Sequence, residues 1–481
     1  MNLNDVLLHL EKNFDEDLER VREFLRMPSI SYTGEGIRET ASKLKEVIKE
    51  LGGTAEVVPT KGHPIVFGEF DEGQEHTLLV YGMYDVMPTD EEGWTVDPWG
   101  AEIKELPKFG PCIINRGAVN TKGPLGAFFN TIRAIKEVDS KLPVNLIFAV
   151  EGEEEMGSRN FPAFLEQYKE KLAKAEAVLF PFFEQDEVGT PGLVLGTKGL
   201  LYFELVCQGG DWGGPTSRGI HGSFNAWVKN PAWRLVQALS TMVDVDENIL
   251  IEGLLNDVSD IPAKERDILE QQIEEGIYDE KVFLENYDVK RLKYDGTGMD
   301  VWEKLYSRPQ LNIDGIFSGY TGPGTKTLLP HIATAKVDVR MVPHMEPDEV
   351  VRFIRAHLDK HGFADIEMNV ANKYYWSKVS VDEHVVQAMI DTYRTMGKEP
   401  QIQPLNPGSA PYYVFERYLQ IPYVTGGMGH GARQHSSDEY CTVQGVLDFE
   451  KSMAIFFDQY CQRVSGKQDQ QETISKKYKP V

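Results

Sequence analysis

Apolar residues recur at helical spacing in "DEDLERVREFLRMPSI" and "RETASKLKEVIKELGG", with charged residues between them. Two runs break that rhythm. "HTLLVYGMYD" and "PVNLIFAVEGEEE" are nearly continuous apolar stretches that end in polar residues, the pattern of buried strands. Between them "KGPLGAFFNTIRAIKEV" predicts a helix that opens just after a glycine. Strands followed by helices predict an α/β sheet with helices on both faces. In such sheets the polar residues just past the carboxyl ends of the strands form the site.

The pattern changes near Leu201. "GLLYFELVCQG", "HIATAKVDVRMVP" and "ADIEMNVA" predict strands, and "NPAWRLVQALSTMV" and "PDEVVRFIRAHLDKHG" predict helices, together a smaller sheet-and-helix domain. After about Ser380 the first pattern returns, with the strand "QIPYVTG" and the helix "CTVQGVLDFEKSMAIFFDQYC". The expected organisation is a catalytic domain in two parts, 1–205 and 381–465, interrupted by a domain over 206–380 that carries an acidic helical insertion at about 244–308. A polar tail, 466–481, is expected to be loose.

Bulk composition narrows the function classes. A chain of 481 residues exceeds the ~250–300 at which single cores stop growing. Its net charge of −25 argues against nucleic acid or an anionic membrane as the main partner, since both call for basic patches. Cys112, Cys207, Cys441 and Cys461 form no C-x-x-C pair, which fits neither a disulfide framework nor a thiolate zinc site. The first helix has acidic residues throughout, unlike a signal peptide, and no apolar run approaches a membrane span. These features predict a soluble cytoplasmic protein.

Four polar segments follow strands or occupy loops: "YGMYDVMP", "INRGAVNTKGP", "EGEEEMGS" and "GMGHGARQHSSDEY". Adjacent carboxylates such as Glu154 and Glu155 are costly at a strand end unless a cation or proton is shared. One can then bind a metal while the other takes a proton from water. A solvated acidic turn is the alternative. In their order along the chain, the segments resemble the active-site motifs of the co-catalytic zinc peptidase and deacylase family. That family includes carnosine dipeptidases, glutamate carboxypeptidase, aminoacylase, acetylornithine deacetylase and succinyl-diaminopimelate desuccinylase. "GYTGPGTKTLLPHIATAKVDVRMVP" looks like the lid domain of its dipeptidase branch.

The resemblance implies a zinc-peptidase-like α/β catalytic domain with an inserted α+β lid and dimerisation domain, and hence a homodimer. It also implies roles. Glu154 is the general base, Glu155 and His435 are metal ligands, and His221 stabilises the oxyanion, with Gly219 where its flanking Asp is usual. Arg340 receives a substrate carboxylate, and Gly408 and Ser409 form a substrate loop.

Several family positions are altered. The motif Gly-His-x-Asp reads Gly82-Met83-Tyr84-Asp85, which leaves Asp85 without the histidine it would orient. The bridging Asp is Asn120, and the further Asp falls near Phe182, with Glu184 or Asp186 available only after a shift. His430 is an additional histidine, either a site residue or an ordinary loop residue. A thioether suits copper(I) more than zinc, and an amide offsets less charge than a carboxylate. The altered pattern therefore argues against a two-metal cluster and for at most one Zn or Mn.

Three readings stay open. The first is a hydrolase of an amide or other C–N bond in a small, carboxylate-bearing, amino-acid-like substrate. The second is a metal-free acid–base enzyme using Glu154, His221 and Arg340. Asp85 is either a catalytic residue free for new work or only a turn residue, and Asn120 is a candidate substrate contact. The third is a non-catalytic relative that binds a ligand or partner.

Overall fold

The computed structural model describes residues 1–293 and 296–477, with side chains omitted at 286 and 467–477. It divides into two compact units: unit 1 is 1–195, 379–403 and 414–481, and unit 2 is 196–378 with 404–413. Among the described residues, no helix is long and apolar enough to cross a membrane.

Unit 1 is built on a six-stranded mixed sheet in the order Thr54–Val58, Ile65–Phe70, Asn145–Glu151, Thr77–Met83, Ala177–Pro181, Tyr423–Gly426. The first two pairings are antiparallel and the last three parallel. Every residue of Thr77–Met83 is buried, which is why its sequence is continuous rather than alternating. Because parallel strands end on the same side, the segments after Met83, Glu151 and Pro181 emerge together. A second, four-stranded antiparallel sheet orders Gly431–Ala432, Tyr440–Thr442, Gly110–Ile114 and Glu102–Leu106. It supplies the two further loops of the site.

Helices Leu3–Leu25, Lys122–Asp139 and Val443–Lys477 pack against one another. A buried polar knot ties them, in which the Asn130 amide donates to the Asp17 carbonyl (2.9 Å) and to Glu450 Oε1 (2.8 Å). The last helix continues through the segment expected to be a loose tail, and 478–481 lie outside the described residues. Burial pushes the Asp17 carboxyl up to about 6 despite its ion pair with Arg20. A raised folded pKa favours the protonated form, so stability falls as pH rises from the unfolded value through 6. The stability of Asp17→Asn relative to the parent should therefore rise between pH 4 and pH 7, as urea melts at both pH values would show.

Unit 2 centres on a four-stranded antiparallel sheet in the order Gln310–Ser318, Ile332–Met341, Gly199–Gln208, Glu367–Tyr374. Burial alternates along Gly199–Gln208, so Leu201, Phe203 and Leu205 face the core. Helices Pro231–Met242 and Pro347–Lys360 cover that face through residues such as Leu235, Leu239 and Ile354. Between the strands Gly199–Gln208 and Gln310–Ser318 lie the helices Ala263–Glu274, Glu280–Asn286 and Met299–Ser307, with 294–295 outside the described residues. Segment 404–413, placed by sequence in the second catalytic part, folds with unit 2. The Lys198 N–H donates to the carbonyls of both Asn406 and Gly408, each at 3.0 Å, and pins it there.

Candidate active site

In unit 1 the site grows from strand ends. After Met83 the chain passes through Tyr84, whose N–H donates to the Glu151 carbonyl of the neighbouring strand (2.8 Å), to the fully buried Asp85. Asp85 Oδ1 accepts the Glu154 N–H (3.1 Å) and Oδ2 accepts the Glu155 N–H (3.0 Å). Both its oxygens are thereby engaged in shaping the short helical turn Glu154–Met156. Asp85 sets the position of the two glutamates through their N–H groups. Gly157 closes the turn at φ 91°, a left-handed conformation that favours glycine.

Five carboxyls crowd this strand end, and four have identified partners. Glu151 accepts from Tyr81 Oη (2.7 Å) and Ser158 Oγ (2.9 Å), and Glu153 accepts from Asn160 Nδ2 (2.6 Å). Asp85 takes its two amides, and Glu155 meets Asn120 and His435. Among the described residues, the Glu154 carboxyl makes no hydrogen bond. Burial raises it well above the usual carboxylate range, and the neighbouring Glu155, Asp85 and Glu151 add to that. Burial likewise pushes Asp85 up to about 7 and Glu151 up to about 8.

The second sheet brings Asn120 and His435 to Glu155. Asn120 follows strand Gly110–Ile114, and His435 sits in the loop joining Gly431–Ala432 to Tyr440–Thr442. Asn120 Nδ2 donates to Glu155 Oε1 (2.9 Å) and lies 3.0 Å from His435 Nε2, which is itself 3.0 Å from Glu155 Oε2. These contacts close a triangle. The hydrogen bond and charge of Glu155 raise the His435 pKa above its ordinary value.

One residue organises this loop pair. The buried Glu439 accepts the N–H groups of Gly117 (3.0 Å), Val119 (3.1 Å) and Asn120 (2.9 Å), together with Arg116 Nη1 (3.0 Å). Arg116, equally buried, donates onward to the carbonyls of Pro88 and Ser436 and pairs with Glu91. Sequence reasoning assigned neither residue a role, although both lie in quoted segments. Partners 323 positions apart leave no local pattern.

The altered positions gather on one side. Leu78–Val80 pair in parallel with Ala177–Leu179, so three residues further along the same register come Met83 and Phe182. Met83 is buried, and its carbonyl accepts the Thr121 hydroxyl (3.1 Å). Glu184 hydrogen-bonds Thr425, and burial pushes it up to about 7. Asp186 accepts the N–H groups of Val188 (2.9 Å) and Thr190 (2.8 Å) in its own turn. His430 is buried between the Gln185 carbonyl (2.8 Å) and Tyr440 Oη (3.2 Å), against the Phe109 ring.

Among the described residues, no group of three or more His, Cys, Asp or Glu side chains is placed to hold a metal ion. One cation would find Glu155 and His435, with Asn120 as third donor only if its amide turned to present oxygen, because the –NH₂ has no free lone pair.

Unit 2 holds the remaining predicted residues. Arg340 Nε donates to Asp338 Oδ1 (3.0 Å) and its Nη1 to Ser409 Oγ (3.2 Å), which joins the predicted arginine to the predicted loop. Gly408 N–H donates to Asn406 Oδ1 (2.7 Å), which closes that turn. His221 is exposed, with Nδ1 2.8 Å from Ser223 Oγ and Nε2 3.2 Å from Thr327 Oγ1. A Cβ on Gly219 would approach Leu328 Cδ1 to 2.6 Å, so the aspartate usual in the resembled motif would require the Leu328 side chain to shift.

This fold and motif order define a metallopeptidase-type α/β protein with an inserted sheet-and-helix domain. The chain belongs to peptidase family M20/M25/M40, which it matches over residues 79–458. It is similar to the Cys-Gly metallodipeptidase dug1 of Schizosaccharomyces pombe, with 28% identity over 385 residues, 75% of this chain and 76% of that one. The Beta-Ala-His dipeptidase of Homo sapiens is 28% identical over 302 residues, 62% of this chain and 56% of that one. Among solved structures, the M20 family metallo-carboxypeptidase Sso-CP2 from Sulfolobus solfataricus superposes with a TM-score of 0.82. It is 36% identical and aligned over 93% of this chain and 99% of its own. The family and fold class expected from the motifs are thus established.

Proposed function

We propose that the chain hydrolyses an amide or peptide C–N bond in a small, carboxylate-bearing, amino-acid-like substrate, with Glu154 as general base. The observation that carries this reading is the state of the carboxyl cluster. Four of its members have hydrogen-bond partners, whereas Glu154, held by its backbone on the Asp85 clamp, keeps its carboxyl available. Glu154 would take a proton from water as the oxygen adds to the carbonyl carbon. It would return that proton to the nitrogen as the C–N bond breaks. Arg340 and Ser409, which hydrogen-bond one another, are proposed as a carboxylate receptor. His221 is proposed as the oxyanion donor. The dipeptidases among the relatives support a substrate of dipeptide size.

Glu155 and His435 would hold at most one cation, zinc or manganese. Such an ion, when bound, polarises a carbonyl and acidifies water. A metal-free acid–base site is the second reading, favoured by the closed Asn120–Glu155–His435 triangle. Incubating the protein with dipeptides and N-acyl amino acids, with zinc, with manganese and with chelator, tests the proposal. Release of free amino acid is expected, and its absence under all three conditions sinks both enzymatic readings and leaves a binding protein. Asn120→Asp adds an anionic donor and should tighten zinc binding at least about tenfold in a competition titration with a fluorescent chelator.

A homodimer through unit 2 belongs to the same proposal. Phe224, Trp227 and Trp233 are exposed, Trp227 by 80%, and edge strand Gln310–Ser318 exposes Ile313, Ile316 and Phe317. Light scattering should give twice the chain mass. A monomer would remove any role for His221 across an interface.

A further inference from the structure

We infer that unit 2 selects substrates whose carboxyl-terminal residue bears an aromatic or large apolar side chain, received by Tyr374, Tyr375 and Tyr413 beside Arg340. The inference rests on the carboxylate-bearing substrate proposed above and names the class within it.

The sheet register brings the groups together. Leu200 pairs with Arg340 on one side and with Tyr374 on the other, and directly opposed residues share a face. Arg340 and Tyr374 therefore stand on the same face, the one opposite Leu201 and the helices, separated by two inter-strand steps of about 4.8 Å. All three residues of this row are half-buried, so the face is neither sealed by core packing nor open surface.

The loop that completes the row is fixed from two directions. Lys198 holds Asn406 and Gly408 through its N–H, and Ser409 hydrogen-bonds Arg340. At the far end of the same segment, the Tyr413 ring lies 5.3 Å from Tyr375 and 6.4 Å from Tyr374. The backbone of 374–376 presses on Gly199 so closely that a Cβ there would come 2.8 Å from the Tyr374 carbonyl oxygen. A guanidinium and a cluster of three aromatic rings thus flank one short loop on the same side of the sheet. The cation matches a carboxylate, and the rings match a flat or bulky apolar side chain.

The test uses two acids that contain no amide and cannot be hydrolysed: propanoate and 3-phenylpropanoate. They share a carboxylate, and the second carries a ring two carbons away, as phenylalanine does. Calorimetric titration of the full chain should show 3-phenylpropanoate binding about 10–100-fold tighter. Tyr413→Ala should bring the ratio to within about threefold, Tyr413→Phe should preserve it, and Arg340→Met should weaken both acids alike. Equal binding of the two acids, or a ratio that survives Tyr413→Ala, overturns the aromatic selection while leaving the carboxylate receptor standing. Failure of both acids to bind overturns the receptor and the inference with it.

Discussion

Glu154→Gln is expected to lower kcat by about 10²–10⁴-fold with little change in KM, while the protein melts at the same temperature or higher. The amide matches the carboxyl in size but cannot accept and return a proton. Stability should not suffer, because the Glu154 carboxyl makes no hydrogen bond and lies among Glu155, Asp85 and Glu151, whose charges oppose its ionisation. Steady-state kinetics on whichever dipeptide is turned over, paired with a thermal melt, checks both halves. Full activity in the variant would remove Glu154 from the chemistry. Lost activity with a much lower Tm would assign it a structural role.

Glu439→Ala should cost about 3–5 kcal/mol of stability, among the largest losses available to a single substitution in unit 1. Four donors converge on this buried carboxylate: the amides of Gly117, Val119 and Asn120, and Arg116 Nη1. Truncation leaves two buried amides and the part-buried Asn120 amide without acceptors, at about 1–3 kcal/mol for each buried one before relaxation. It also weakens the pairing of a fully buried guanidinium. Glu439→Gln keeps one acceptor oxygen but turns an –NH₂ toward these donors, so an intermediate loss of about 2 kcal/mol is expected. Urea unfolding should show the midpoint falling while the m-value stays constant. Activity should fall in both variants, because Asn120 loses the anchor that keeps it against Glu155 and His435.

Much of the fold is legible in the residues because burial writes a period into them. The unbroken apolar run at Thr77–Met83 marks a strand covered on both faces, and the alternation in Gly199–Gln208 marks one covered on a single face. Segment 404–413 was misplaced for a corresponding reason. It is held by the Lys198 N–H, a backbone contact that no periodicity records. The tail was expected to be loose because polar composition lacks an apolar stripe, yet its backbone continues the helix Val443–Lys477.

The candidate site divides along the same line. Motif order brought Glu154, Glu155, Asn120, His435 and Arg340 into view, since each chemistry-bearing type stands at a strand end or in a short loop. The resemblance also set Met83 and Asn120 against a histidine and an aspartate of the family motifs. It could not determine the work of Asp85, which was left open between a catalytic and a turn residue. Only the tertiary structure decided that its carboxylate clamps two amides, that Glu154 is left with an available carboxyl, and that Arg116 and Glu439 hold the Asn120 loop. The physical reason is range. Periodicity reports which face of an element is buried, whereas a hydrogen bond between residues hundreds of positions apart exists only once the sheets have brought their ends together.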